Sequence, residues 1–163
     1  MIERLRAHPK FAFMPGVLLA SLVGAGNVGA APSFDDESVR AAAAFAEALD
    51  AGDTATAHAQ AGWPHSKLGV DEFAARIAFE RGDLGAAQCR DVRMRQDVGR
   101  HADGKPESTL VALAARFAQG WAQEYVRVDR GVDGTLSIAD YVVAPMDLHG
   151  DCSKRARRYD ATK

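Results

Sequence analysis

The sequence predicts an α+β domain, with three N-terminal helices packed on one face of a curved, four-stranded antiparallel meander. Three observations predict it. Apolar residues recur at helical spacing up to Arg81 and alternate from about Ala86 onward. Between Thr109 and Val143, glycine-bearing turns at Gln119-Gly120 and Arg130–Gly134 cut the alternating run into three strands. Helices first and strands after is the order of a fold whose helices cover one side of an antiparallel sheet.

Residues 1–30 read as an export signal. MIERLRAHPK is a basic opening, Phe11 to Val23 is apolar apart from Ser21, and Val28-Gly29-Ala30 places small residues before a cut at Ala31. That run falls short of the ~20 residues of a membrane span, and Pro15-Gly16 interrupts it. The predicted destination is the periplasm or the exterior, with no stable membrane insertion after cleavage; an uncleaved anchor is the alternative. Of 163 residues, about 130 then remain, enough for one domain at 31–145 and a basic tail at 146–163. Cleavage removes Arg4, Arg6, Lys10 and Glu3, taking the formal charge from −2 to −4. A nucleic-acid binder normally carries a basic footprint, so nucleic acid is excluded as an expected partner.

Ser33, with Asp36 three residues on, is the expected N-cap of the first helix, and Asp35, Asp36 and Glu37 suit the positive end of its dipole. Val39, Ala42, Ala43, Ala46 and Leu49 form its apolar stripe, and Gly52 ends it. Asp53 caps a short second helix through Thr54 to Ala61, closed by Gly62-Trp63-Pro64. A third helix runs from Val70 to Arg81 with Val70, Phe73, Ala74, Ile77 and Ala78 on its apolar face; Phe79 lies outside that stripe.

Ala86 to Val98 is the first predicted strand, with its even positions, Arg90, Val92 and Met94, facing the core. With Gln119-Gly120 as a two-residue turn, Ala118 meets Trp121, Phe117 meets Ala122, Ala115 meets Glu124, Leu113 meets Val126, and Val111 meets Val128. The last eight of these residues share one side, which is apolar except for Glu124 and is the expected core face. The outer face carries Arg116, Gln123, Tyr125 and Arg127 beside Leu110, Ala112, Ala114 and Trp121. A slip of one residue would exchange the two faces. In the last strand Tyr141 lies three residues beyond Ile138, so a bulge at Ala139-Asp140 is needed to return it to the inner face. Pro145 ends the pattern. Beyond Cys152 the tail, with Lys154, Arg155, Arg157 and Arg158, reads as mobile and solvated.

Several short elements carry a resemblance. They are Ala48-Leu49-Asp50-Ala51-Gly52-Asp53, Arg76 and Arg81 before Leu84-Gly85, Arg90, Glu124, the Asp133-Gly134 turn and Tyr141. Over roughly residues 36–143 their order resembles the cone fold of nuclear-transport-factor-two-like proteins, the cystatin-like, SnoaL/ketosteroid-isomerase-like superfamily. Closer still, it resembles a family of small exported bacterial proteins of unknown function within it. Leu136 departs from the pattern, standing where a tryptophan is expected, and the cysteine-bearing tail lies outside it. The resemblance implies a pocket between helices and inner sheet face near Arg90, Glu124 and Tyr141. It also implies a homodimer through the outer face, here Arg116, Trp121, Tyr125 and Arg127.

Arg90 and Glu124 are lone charges on faces that otherwise read as core, so each needs a partner. They either orient a ligand at the mouth of the cone or form a structural ion pair. Asp140 and Tyr141 match the acid and phenol that ketosteroid isomerases use, and Tyr141 is equally a core residue with a satisfied hydroxyl. His65, beside Trp63-Pro64, is the histidine singled out as a base. His58, His101 and His149 show no metal-ligand spacing with it, and no cofactor fingerprint occurs, so neither metal nor cofactor is expected. Cys89 and Cys152 are a disulfide or two free thiols.

The function predicted is an exported, non-enzymatic cone-fold domain binding a small ligand or a protein partner in the bacterial envelope. One alternative is a small lyase, isomerase or hydrolase of the ketosteroid-isomerase-like type using Asp140 or His65 as base. The other is a structural homodimer whose cone is filled by Phe73, Ile77, Leu113, Phe117 and Met94.

Overall fold

A computed structural model describes residues 32–159, so the export-signal reading lies outside the described residues. Three α-helices, α1 (Glu37–Asp50), α2 (Thr54–Ala59) and α3 (Val70–Arg81), precede four long strands. These are β1 (Cys89–Val98), β2 (Ser108–Phe117), β3 (Gly120–Arg130) and β4 (Leu136–Met146); a two-residue strand, β5 (Arg157–Arg158), follows. All neighbours are antiparallel, in the order β4-β3-β2-β1-β5. No described helix is long and apolar enough to cross a membrane.

The N-cap of α1 is Asp36, not Ser33. The Asp36 carboxylate accepts from the amides of Ser38 and Val39 at 2.9 and 3.1 Å, while the Ser33 hydroxyl accepts from the Asp35 amide one turn earlier. A full charge facing the helix dipole is the stronger cap. Asp53 caps α2 as predicted, and α3 has its predicted bounds. Only Phe73, Ile77 and Arg81 of α3 are buried, and Phe79 stands 83 % exposed.

The β2–β3 turn is Ala118-Gln119 rather than Gln119-Gly120, so the predicted pairing is corrected by two residues. Phe117 meets Gly120, Ala115 meets Ala122, Leu113 meets Glu124 and Val111 meets Val126. A shift of two preserves every side-chain direction, and all eight residues assigned to the core face are buried. β1 carries a bulge that sequence did not announce. Val92 opposes Leu113 and Met94 opposes Ala112, leaving Arg93 extra. Beyond it the faces exchange, so Met94 turns outward and is no core residue. The bulge predicted in β4 is present, at Ala139, with Arg127 opposite Asp140 and Val128 opposite Ile138. Tyr141 is thereby buried while Asp140 points out.

The helices cover the inner sheet face. Ala42, Ala43 and Ala46 let α1 approach the sheet closely. Phe45 stands edge-on to Phe73 and Tyr141, with ring centroids 6.4 and 5.5 Å away. Val111, Leu113, Val126, Val128 and Ile138 complete this core, and Phe117 sits with Ala87, Ala115 and Ala122 in a smaller cluster beside it.

The tail is also corrected. Residues after Met146 fold back, Cys152 is bonded to Cys89, and β5 pairs with the first two residues of β1. A covalent tie and a ladder fix a segment that its composition alone would leave in solvent.

Candidate functional site

The most concentrated chemistry lies at the inner end of β1. Arg90 is directly opposite Ala115, whose methyl group is too small to block it, so the guanidinium reaches across β2 to Glu124 on β3. Its Nε and Nη2 donate to the two Glu124 carboxylate oxygens at 2.5 and 3.0 Å. Nη1 and Nη2 also donate to both oxygens of Asp50, at 2.5 and 3.2 Å. Asp50 is the last residue of α1, where the helix dipole disfavours a carboxylate. Arg81, the last residue of α3, offsets this with a second donation to Asp50 at 2.6 Å and another to the Gly85 carbonyl. The Tyr141 hydroxyl donates to Glu124 at 2.8 Å.

Two arginines thus face two carboxylates. Arg90 and Glu124 are both fully buried, and a buried charge persists only when paired and hydrogen-bonded. Burial opposes the charge on Arg90, but Glu124 and Asp50 outweigh it and hold the guanidinium well above its ordinary value. Burial, then the Glu124 charge, push the Tyr141 phenol well above its usual value. Aromatic faces close the cluster, with the Phe117 ring 5.6 Å from Arg81 and the Tyr159 ring 5.4 Å from Arg90. Sequence therefore named three members, Arg90, Glu124 and Tyr141, and the structure brings them together. Asp50 and Arg81 stood among the residues of the resemblance without being assigned to the pocket, and Tyr159 was missed. An acid at the C-terminus of α1 was the available signal for Asp50.

Four surface pockets of 380 to 480 Å³ are lined by described residues, and none of the four takes a wall from Arg90, Glu124 or Tyr141. Arg81, by contrast, lines the pocket bounded by Phe79, Leu84, Trp121 and Val143, and Asp50 is 12 % exposed, so the mutually neutralising network is buried at Arg90 and Glu124 and reaches the surface at its Asp50–Arg81 end.

The two candidate bases form a second, looser site. His65 opens a 3₁₀ turn after Pro64, and its Nε2 lies 3.8 Å from Asp140 Oδ1. Gln60 and Gly62 are stitched to β4 through Ile138, which donates to Gln60 and accepts from Gly62 at 2.8 and 2.7 Å. Any side chain at Gly62 would run into the Ser137 hydroxyl, so glycine permits this approach. The His65 ring rests edge-on against Phe73, and Asp140, 52 % exposed, also accepts from the Tyr141 amide. Neither residue lines any of the four pockets.

On the outer face, Arg116, Trp121 and Tyr125 are half-buried and Arg127 is exposed, with Val142 of β4 beside Tyr125 and 41 % exposed. The indole N–H of Trp121 donates to the Gly150 carbonyl, so the returning tail covers one end of this face. Cys89 and Cys152 are joined in a disulfide with Cα atoms 6.2 Å apart. Among the described residues no group of three or more histidine, cysteine or acidic side chains is arranged to hold a metal ion. Compared with protein-family models, curated proteins and solved structures, the chain gives no match.

Proposed function

We propose that the protein is an exported, non-enzymatic cone-fold domain of the nuclear-transport-factor-two-like type that binds a protein partner in the bacterial envelope. The fully buried Arg90–Glu124 pair, tied to Asp50, Arg81 and Tyr141, carries this reading. A small ligand would have to break a buried ion pair to enter, at a cost far above that of docking on the surface. The outer sheet face supports a protein partner, because Leu110, Tyr125 and Val142 lie there with none of the described helices over them. A second copy of the chain is the first candidate for that partner.

Native mass spectrometry of the protein purified from its own envelope, before and after mild denaturation, tests this. A dimer or a hetero-complex with no additional small mass is expected. A small molecule released on unfolding would overturn the reading. It would favour instead a lyase, isomerase or hydrolase with Asp140 or His65 as base, to which their 3.8 Å approach lends support. Within the leading reading, Tyr125→Glu should shift sedimentation toward monomer; an unchanged monomer in both proteins at high concentration would remove the homodimer.

A further inference from the structure

We infer that Cys152 is a thiol–disulfide exchange site, at which a dithiol reductant unlatches the C-terminal segment from the domain. This inference does not rest on the partner reading above, because it is argued from the surroundings of the two sulfurs alone, although it shares Arg116 with the outer face.

The two ends of the bridge differ in access. Cys89 is fully buried, whereas Cys152 is half-buried. A surface pocket of about 380 Å³ opens beside it, lined by Gln88, Arg116, Asp151, Cys152, Arg158 and Tyr159. An incoming thiolate therefore meets the Cys152 sulfur, and Cys89 is the leaving group. Cys89 stands in register between Arg116 on β2 and Arg158 on β5. Arg116 donates to the Phe117 carbonyl and Arg158 to the carbonyls of Cys152 and Ser153. Among the described residues neither arginine is ion-paired, in contrast to Arg90 between its two carboxylates. Positive charge on both sides, with no ion-pair partner among the described residues, stabilises a departing thiolate, and a more stable thiolate leaves faster.

The exchange balances as follows. A thiolate of the dithiol attacks the Cys152 sulfur, forming a mixed disulfide while the Cys89–Cys152 bond breaks and its electron pair passes to Cys89. The second thiol, deprotonated, attacks the reductant's own sulfur in the mixed disulfide and releases Cys152. The dithiol becomes a disulfide, and the two protein thiolates take up the two protons.

What remains to hold the segment is non-covalent and local. The two-residue β5 ladder remains, with the Tyr159 amide on Gln88 at 3.1 Å, the Trp121 indole on Gly150, and the stacks of Arg90 on Tyr159 and Arg157 on Phe34. Ser153 also donates to Asp91 at 3.1 Å, and Arg157 to Glu47 at 2.8 Å. The last two contacts are exposed, and such contacts contribute little. Without the bridge, which spans 63 positions of sequence, this segment belongs to the low-stability end of the fold. Its release lifts the Tyr159 ring from Arg90 and frees the edge of β1.

The test reduces the folded protein with dithiothreitol, quenches with iodoacetamide, and follows backbone hydrogen exchange. Two alkylated cysteines are expected under native conditions, with protection lost at 157–159 and retained in β2 and β3. Appearance of thiols only at denaturant concentrations that unfold the domain would overturn the inference. So would unchanged protection at 157–159 after complete reduction. Arg116→Gln and Arg158→Gln should each slow native reduction by about threefold; unaltered rates in both would remove the leaving-group argument. Cys152→Ser should show the open segment without reductant. Should that variant fail to fold, reduction of the wild-type protein still decides.

Discussion

Two charged sites flank β4, and they differ in closure. The Arg90 network is buried at Arg90 and Glu124, and each of its groups is held by at least one hydrogen bond of 3.0 Å or less. The His65–Asp140 pair is joined by a single approach of 3.8 Å, with its acid half in solvent. Burial forces each charge to find a partner, and Arg90 and Glu124 find each other, the geometry of a structural ion pair. Asp140 is half in solvent whereas the His65 side chain is only 15 % exposed, and the single approach between them holds the pair loosely.

The largest effect that can break this comparison is at Glu124. Glu124→Ala strips Arg90 of its bidentate partner and leaves a buried charge short of compensation, which costs about 3–5 kcal/mol. Urea unfolding measures it. A loss below about 1 kcal/mol, the range of exposed pairs, would mean that water reaches Arg90 and that the interior is open after all. Asp50→Ala should cost less, about 2–3 kcal/mol. It removes charge-assisted hydrogen bonds from two arginines but also relieves an acid at the negative end of α1. A cost equal to that of Glu124→Ala would show that the dipole contributes nothing at this position.

The contrast also explains what was legible in the sequence. Periodicity gave α3 its bounds, because Gly69 and Gly82 flank an uninterrupted helical run. The two faces of the β2–β3 hairpin were readable although its turn was misplaced, since a two-residue slip leaves the alternation intact. The β4 bulge was readable because Ile138 and Tyr141 are an odd number apart and both apolar enough to demand burial. In β1 no such demand exists. Val92-Arg93-Met94 alternates perfectly, and only the register of β2 shows that Arg93 is the extra residue. Asp50 and Arg81 lie 31 positions apart on two helix ends, a proximity that local spacing does not encode. The returning tail was hidden for a related reason. Lys154 to Arg158 has the composition of a solvated segment, and it is placed by a bond to a cysteine far upstream.

Tyr141 sharpens the comparison through pH. Tyr141→Phe removes one hydrogen bond to a charged acceptor, worth about 1.5–3 kcal/mol at neutral pH. Because burial and the Glu124 charge raise its pKa in the folded state, the neutral phenol is favoured by folding. Its contribution is complete below the unfolded value of about 10 and is lost as the pH rises through the folded value. Tyr159 is raised in the same direction, chiefly by its burial. Wild-type stability should therefore fall more steeply above about pH 10 than that of Tyr141→Phe, and removing Tyr159 as well should flatten the curve further. Parallel stability curves for the wild type and Tyr141→Phe would indicate that the phenol is in contact with solvent.

The smallest effect is expected at the open pair. His65→Gln and Asp140→Asn remove a contact whose acid is half-exposed, and each should change stability by no more than about 0.5 kcal/mol. The informative measurement is a double-mutant cycle in urea. Additive losses would mean that 3.8 Å is mere adjacency, leaving both groups free for a role other than stability. A coupling of 1 kcal/mol or more, at the upper limit for exposed pairs, would make the pair a structural tie between the 3₁₀ turn and β4. The two sites would then differ in strength alone, and the surface pair would lose its one claim to chemistry.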